Sequence, residues 1–180
     1  MDLTKSQLKN ILNIIDTQSS NYRYFVETGT FGGRTIKNLH NIFKKLYTIE
    51  ISETLYKKTK NKLNHLNNIN FILGDSSIKI KEVLNNIEDK CIFWLDGHWS
   101  GGITGKGECD VPLIDECKSI DELYKFNECV IIIDDYRLFN TNKNENWLGI
   151  TKENIESCFV KHKIKKSVVI NDRLVLSIIK

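Results

Sequence analysis

Phe25-Val26-Glu27-Thr28-Gly29-Thr30-Phe31-Gly32-Gly33-Arg34-Thr35 is the stretch on which the fold turns. An apolar strand ends in a carboxylate, runs into a glycine turn, and passes into a segment able to start a helix. Glycines let a backbone bend sharply and approach a ligand closely, and free N–H groups at a helix start face whatever binds there. Dinucleotide enzymes place G-x-G-x-x-G at this junction. Counting from Gly29, this chain has Phe31 and Arg34 where the second and third glycines belong, so that fingerprint fails.

Outward from this turn, apolar runs alternate with amphipathic ones. The pattern predicts strands at 23–27, 46–50, 69–73, 91–95 and 129–134, and helices near 33–45, 52–66, 77–88, 111–125 and 148–159. Leu3, Leu8, Ile11, Leu12 and Ile15 recur at helical spacing and predict a lead helix within residues 1–20. Cys129-Val130-Ile131-Ile132-Ile133 is apolar throughout, as a central parallel strand covered on both faces must be. The C-terminal part departs from the alternation. Ser167–Ile170 and Leu174–Ile179 flank the short turn Asn171-Asp172 with no room for a helix, which predicts an antiparallel hairpin. The expected fold class is α/β: a Rossmann-like, mostly parallel, seven-stranded sheet ending in that hairpin.

With 180 residues, 41% of them hydrophobic, the chain suits one domain spanning 1–180. A formal charge of +3, with lysines scattered among acids, speaks against a dedicated nucleic-acid binder. The five cysteines lack metal-binding spacing and read as reduced thiols. No apolar stretch is long enough to span a membrane and no leader layout precedes the first helix, so a cytoplasmic protein is expected. His40, His65 and His162 fall on helices or their exits and read as surface residues.

In open α/β sheets ligands gather beyond the carboxyl ends of the strands. Glu27 ends the first strand, and a carboxylate there repels a pyrophosphate but accepts hydrogen bonds from an amino group. Glu50 ends the second, some twenty residues past the glycine turn, where a carboxylate accepts ribose hydroxyls. Asp75 and Ser76 follow the third and could reach an adenine. Together these residues point to S-adenosylmethionine. Asp96, Asp134 and Asp135 end the next two strands. Hard oxygen ligands at that density favour Mg²⁺ or a similar cation. Residues 99–110 are too glycine-rich for regular structure and read as a substrate loop, with Asp110 and Pro112 starting the following helix. Gly105-Lys106 fails as a phosphate-loop motif because Gly107 replaces the hydroxyl residue. Lys106 and Arg137 could face an anionic group on an acceptor.

The run from Glu27 to Thr35, with Glu50, Asp75, Asp96 and Asp134-Asp135, resembles the class I, metal-dependent O-methyltransferases of the catechol and macrocin types. Trp94-Leu95-Asp96-Gly97-His98-Trp99-Ser100-Gly101-Gly102 and Asp134-Asp135-Tyr136-Arg137-Leu138-Phe139 are similar to methyltransferase-like proteins of bacteria and large DNA viruses, some acting on glycans. The resemblance implies that Glu27 and Thr35 hold the methionine part, Gly29 and Gly32 permit its approach, Thr30 and Phe31 flank it, and Glu50 takes the ribose. It further implies that Asp96, Asp134 and Asp135 ligate the metal. The lysine that serves catechol enzymes as base has no counterpart, and His98, two residues past Asp96, is the expected substitute. The implied activity is methylation of a hydroxyl on a small-molecule or glycan acceptor, including a sugar nucleotide; a homodimer is expected because a chain this short, with no obvious acceptor domain, can borrow a lid from a neighbouring subunit. An RNA ribose methyltransferase and a silent nucleotide-binding subunit are the alternatives.

Overall fold

A computed structural model describes residues 2–102, 104–143 and 145–180. Strands form at Tyr24–Thr28 (β1), Lys45–Glu50 (β2), Ile69–Leu73 (β3), Cys91–Leu95 (β4), Glu128–Ile133 (β5), Lys163–Ile170 (β6) and Arg173–Ile179 (β7). They build one sheet in the order β3-β2-β1-β4-β5-β7-β6. The first five are parallel, β7 runs antiparallel to β5, and β6 pairs antiparallel with β7. The expected α/β class and the closing hairpin are both present.

Helices cover both faces: Lys5–Ile14 (α1), Arg34–Leu39 (α2), Glu53–Leu63 (α3), Ser76–Asn85 (α4), Leu113–Leu123 (α5) and Lys152–Glu156 (α6). Strand residues divide by parity. Phe25, Ile92, Trp94, Val130 and Ile132 pack with Leu8, Ile11, Ile36 and Leu63 from α1, α2 and α3. Val26, Phe93, Leu95, Ile131 and Ile133 pack with Ile80, Val83, Cys117 and Ile120 from α4 and α5. Burial on two sides explains why the central strands are apolar at every position. Helix α1 starts on a capping box in which the Thr4 hydroxyl accepts from Gln7 N while Thr4 N donates to the Gln7 side chain.

Three expectations need correction. The helix predicted at 33–45 stops at Leu39, because the Asn68 side chain donates to the carbonyls of His40 and Phe43 and draws the chain toward β2. The helix predicted at 148–159 contracts to α6, set by the Thr151 cap, which accepts from Asn154 N. His162 is buried, with Nδ1 3.0 Å from Asp121 Oδ1, because the Asp121 carboxylate accepts from the Val160, Lys161 and His162 N–H groups and holds this turn against α5. Among the described residues no helix is long and apolar enough to cross a membrane. All five cysteines are free, and only Cys109 is exposed.

Candidate active site

The carboxyl ends of β1 to β5 open into one cavity of about 490 Å³. Most of the residues predicted for the site line it: Glu27, Gly29, Thr30, Phe31, Thr35, Glu50, Asp75, Ser76, Asp96, His98 and Asp135. Gly32 and Asp134 do not.

On the β1–β3 side the polar groups are individually partnered. Glu50 is buried and accepts twice, from Phe31 N at Oε2 and from Ser52 N at Oε1, each at 2.8 Å. Each carboxylate oxygen retains a lone pair for a ligand hydroxyl. Glu27 Oε2 accepts from the Thr48 hydroxyl at 2.6 Å, and that hydroxyl also lies 2.6 Å from Thr30 Oγ1. Burial pushes the Glu27 carboxyl well above the usual carboxylate range despite the Thr48 hydrogen bond, and the Asp96 and Glu50 charges push the same way. Asp75 caps α4, its Oδ1 accepting from Ser77 N and Oγ.

The glycines divide unexpectedly. Gly29 is left-handed (φ +80°), and a Cβ there would stand 2.1 Å from the Asp96 carbonyl oxygen, so this glycine lets β4 leave the sheet beside β1. A Cβ on Gly32 would meet nothing of the protein within 4 Å, and Gly32 stands outside the cavity lining. Thr35 lines the cavity, but its hydroxyl accepts from Leu3 N at 3.0 Å. Phe31 is exposed at the rim.

On the β4–β5 side charges crowd around one imidazole. His98 Nδ1 lies 3.7 Å from Asp96 Oδ1, and its Nε2 lies 3.4 Å from Asp135 Oδ2 and 3.6 Å from Glu145 Oε2. Its ring sits edge-on to Trp147, whose indole N–H donates to Glu145 Oε2 at 2.8 Å. Burial lowers the His98 pKa below its ordinary 6.5, outweighing the neighbouring carboxylates, so the ring is neutral at neutral pH. Burial pushes Asp96 well above the usual carboxylate range, with Asp134 and Asp135 adding to it.

The expected trio of aspartates is not the trio that converges. Asp96, His98 and Asp135 present ligand atoms within 4.8 Å of one another. Asp134 instead faces a buried partner: Arg173 Nε lies 3.2 Å from its Oδ1, both side chains are 2% exposed, and the guanidinium lies over Trp94. The left-handed backbone at Asp135 (φ 58°) turns successive side chains to different sides, sending Asp135 to the cavity and Asp134 under it. Glu145 and Arg173 went unpredicted because nothing in their local sequence marks them. Arg137 pairs with Asp135 and Asp172, and Lys106 pairs with Asp110 and lies over the Trp99 ring.

The glycine-rich loop at 99–110 lies across the β2–β3 ends. A Cβ on Gly105 would meet Ile51 Cγ2 at 2.4 Å, and one on Gly107 would meet Asp75 Oδ2 at 2.2 Å. Glycine there lets the loop lie flat on the cavity wall. Ile103 of this loop falls outside the described residues. Asp110, expected to start α5, accepts from Asn146 N and pairs with Lys106, while Pro112 takes the cap position.

No protein-family model and no curated protein matches the chain. Solved structures do share its fold. A Staphylococcus aureus protein assigned as a caffeoyl-CoA O-methyltransferase superposes with a TM-score of 0.65 at 17% identity, over 100% of this chain and 86% of that one. An S-adenosylmethionine-dependent methyltransferase from Clostridium acetobutylicum gives 0.57 at 13% identity, covering 99% and 92%. Methanococcus jannaschii fibrillarin, a pre-rRNA processing protein, gives 0.55 at 17% identity over 88% of this chain, which spans only 66% of fibrillarin's length. The chain therefore has the Rossmann-like fold of these methyltransferases.

Proposed function

We propose that this chain is an S-adenosylmethionine-dependent O-methyltransferase acting on a hydroxyl of a sugar, glycan or other small vicinal diol, with a divalent cation assisting. The observation that carries the reading is that Glu50, pre-oriented by two backbone N–H groups, shares a single cavity with the Asp96–His98–Asp135 cluster. A ribose site and an acid–base site thus lie within one ligand's reach of each other.

Glu50 would accept the ribose hydroxyls, Glu27 would face the amino group, and Asp75 with Ser76 would border the adenine. Asp96 and Asp135 would hold a hard divalent cation, whose chemistry when bound is to acidify a coordinated hydroxyl, and His98 beside them would keep its ring lone pair free. His98, neutral at physiological pH, takes the hydroxyl proton on its ring. The imidazolium so formed is stabilised by Asp96, Asp135 and Glu145, which surround it. Trp147 holds Glu145 in place. Alignment of hydroxyl and donor in one cavity supplies the rest.

An RNA acceptor is the second reading, raised by the fibrillarin likeness. The acid-rich cavity wall disfavours a polyanion.

Calorimetry with S-adenosylmethionine, S-adenosylhomocysteine and NAD tests the donor. Binding of the first two and not NAD is expected. A methyl-uptake screen over sugars, sugar nucleotides and RNA, with Mg²⁺ or EDTA, then tests acceptor and metal. Preference for NAD would overturn the reading, and full turnover in EDTA would remove the cation from it.

A further inference from the structure

The cavity lining is electrostatically lopsided. Six carboxylates, Asp2, Glu27, Glu50, Asp75, Asp96 and Asp135, face it, and among the described lining residues Arg34 alone carries a fixed positive charge. The donor proposed above carries a sulfonium and an ammonium, which suit such a wall, and an α-carboxylate, which does not. That carboxylate needs a cation, and in this cavity the guanidinium of Arg34 is the one available.

Arg34 opens α2 directly after the left-handed Gly33, and its Nη1 lies 3.3 Å from Asp2 Oδ2. The pair spans the chain's first described residue and the glycine turn. Its side chains are 75% and 43% exposed, and an ion pair that open to water adds little to folding stability. The backbone beside it is nonetheless firmly held. Leu3 is fully buried in the α1–α3 core, its N–H donates to Thr35 Oγ1 at 3.0 Å, and its carbonyl accepts from Asn38 Nδ2 at 3.4 Å. A strap pinned at residue 3 keeps the Asp2 carboxylate at the cavity mouth on the same side as Glu27.

We propose that Asp2 and Arg34 form a zwitterion clamp for the amino-acid end of the donor, Arg34 binding the α-carboxylate and Asp2, with Glu27, facing the α-ammonium. The clamp rests on the donor reading above and extends it to Asp2 and Arg34. Thr35 then acts indirectly, by tying down the strap that presents Asp2.

Calorimetry with S-adenosylhomocysteine and 5′-methylthioadenosine tests the clamp, because the second ligand keeps the adenosine and thioether and lacks the amino acid. Arg34→Ala is expected to weaken S-adenosylhomocysteine by roughly 10- to 50-fold while leaving 5′-methylthioadenosine unchanged. Asp2→Asn should show the same selectivity with a smaller loss, about 3- to 10-fold. Retained binding of 5′-methylthioadenosine doubles as proof that each variant is folded. Wild-type affinity of Arg34→Ala for S-adenosylhomocysteine, or equal loss of both ligands, overturns the clamp alone. Failure of the wild-type protein to bind either ligand overturns the donor reading and the clamp with it.

Discussion

The two halves of the cavity are built on opposite electrostatic plans. On the β1–β3 side every carboxylate tip is met by a donor: Glu50 by two backbone N–H groups, Glu27 by Thr48, Asp75 by Ser77. On the β4–β5 side Asp96, Asp135 and Glu145 approach His98 at 3.4 to 3.7 Å, distances that mark attraction without a completed hydrogen bond. The first half is a finished mould. The second is poised, with charge concentrated where a proton or a cation would relieve it, and under the function proposed above this division separates binding from chemistry.

His98→Ala should therefore strike the second half alone. Turnover is expected to fall roughly 10²- to 10⁴-fold, the usual scale for a lost general base, with S-adenosylhomocysteine affinity unchanged by calorimetry. Equal loss of affinity and turnover would show that the halves are not separable. Arg173→Met removes the buried guanidinium that faces Asp134 beneath the poised half. Thermal or urea denaturation should show a loss of about 3–5 kcal/mol, largely recovered in the double variant with Asp134→Asn.

A smaller effect sharpens the seam between the halves. Glu116, on α5, is fully buried, with the Ser76 and Thr28 hydroxyls facing it but no hydrogen bond of good geometry at either oxygen. Burial pushes its pKa up from 4.5 to about 7, the Asp75 and Asp115 charges adding to the shift. The folded state thus prefers the protonated form. Its contribution to stability is fully present below pH 4.5 and lost as pH rises through about 7. Glu116→Gln should match the wild type in acid and exceed it above pH 7 by about 3 kcal/mol, read from denaturation midpoints across pH. A constant difference across pH would show that Glu116 does not titrate in this range.

Legibility in the sequence followed the range of the interaction. Glu27, Gly29 and Glu50 could be read because strand tips and a glycine turn are local patterns, and the hairpin because its turn is two residues long. The end of α2 could not, since Asn68 stops it from across the fold. Asp134 looked like a cavity residue beside Asp135 until the left-handed turn and Arg173 separated them. Glu145, Trp147 and Asp2 reach the site from irregular segments, which carry no periodicity to announce them.

The β6–β7 hairpin has a consequence for the cavity. Its turn accepts the Tyr136 and Arg137 N–H groups at Asp172, and its first β7 residue supplies the guanidinium under Asp134. Until the hairpin docks, Asp134 lacks the guanidinium that faces it, so the β4–β5 half of the cavity depends on a strand later in the chain than those that end there. The order of that half is therefore complete only when β7 slots in antiparallel beside β5.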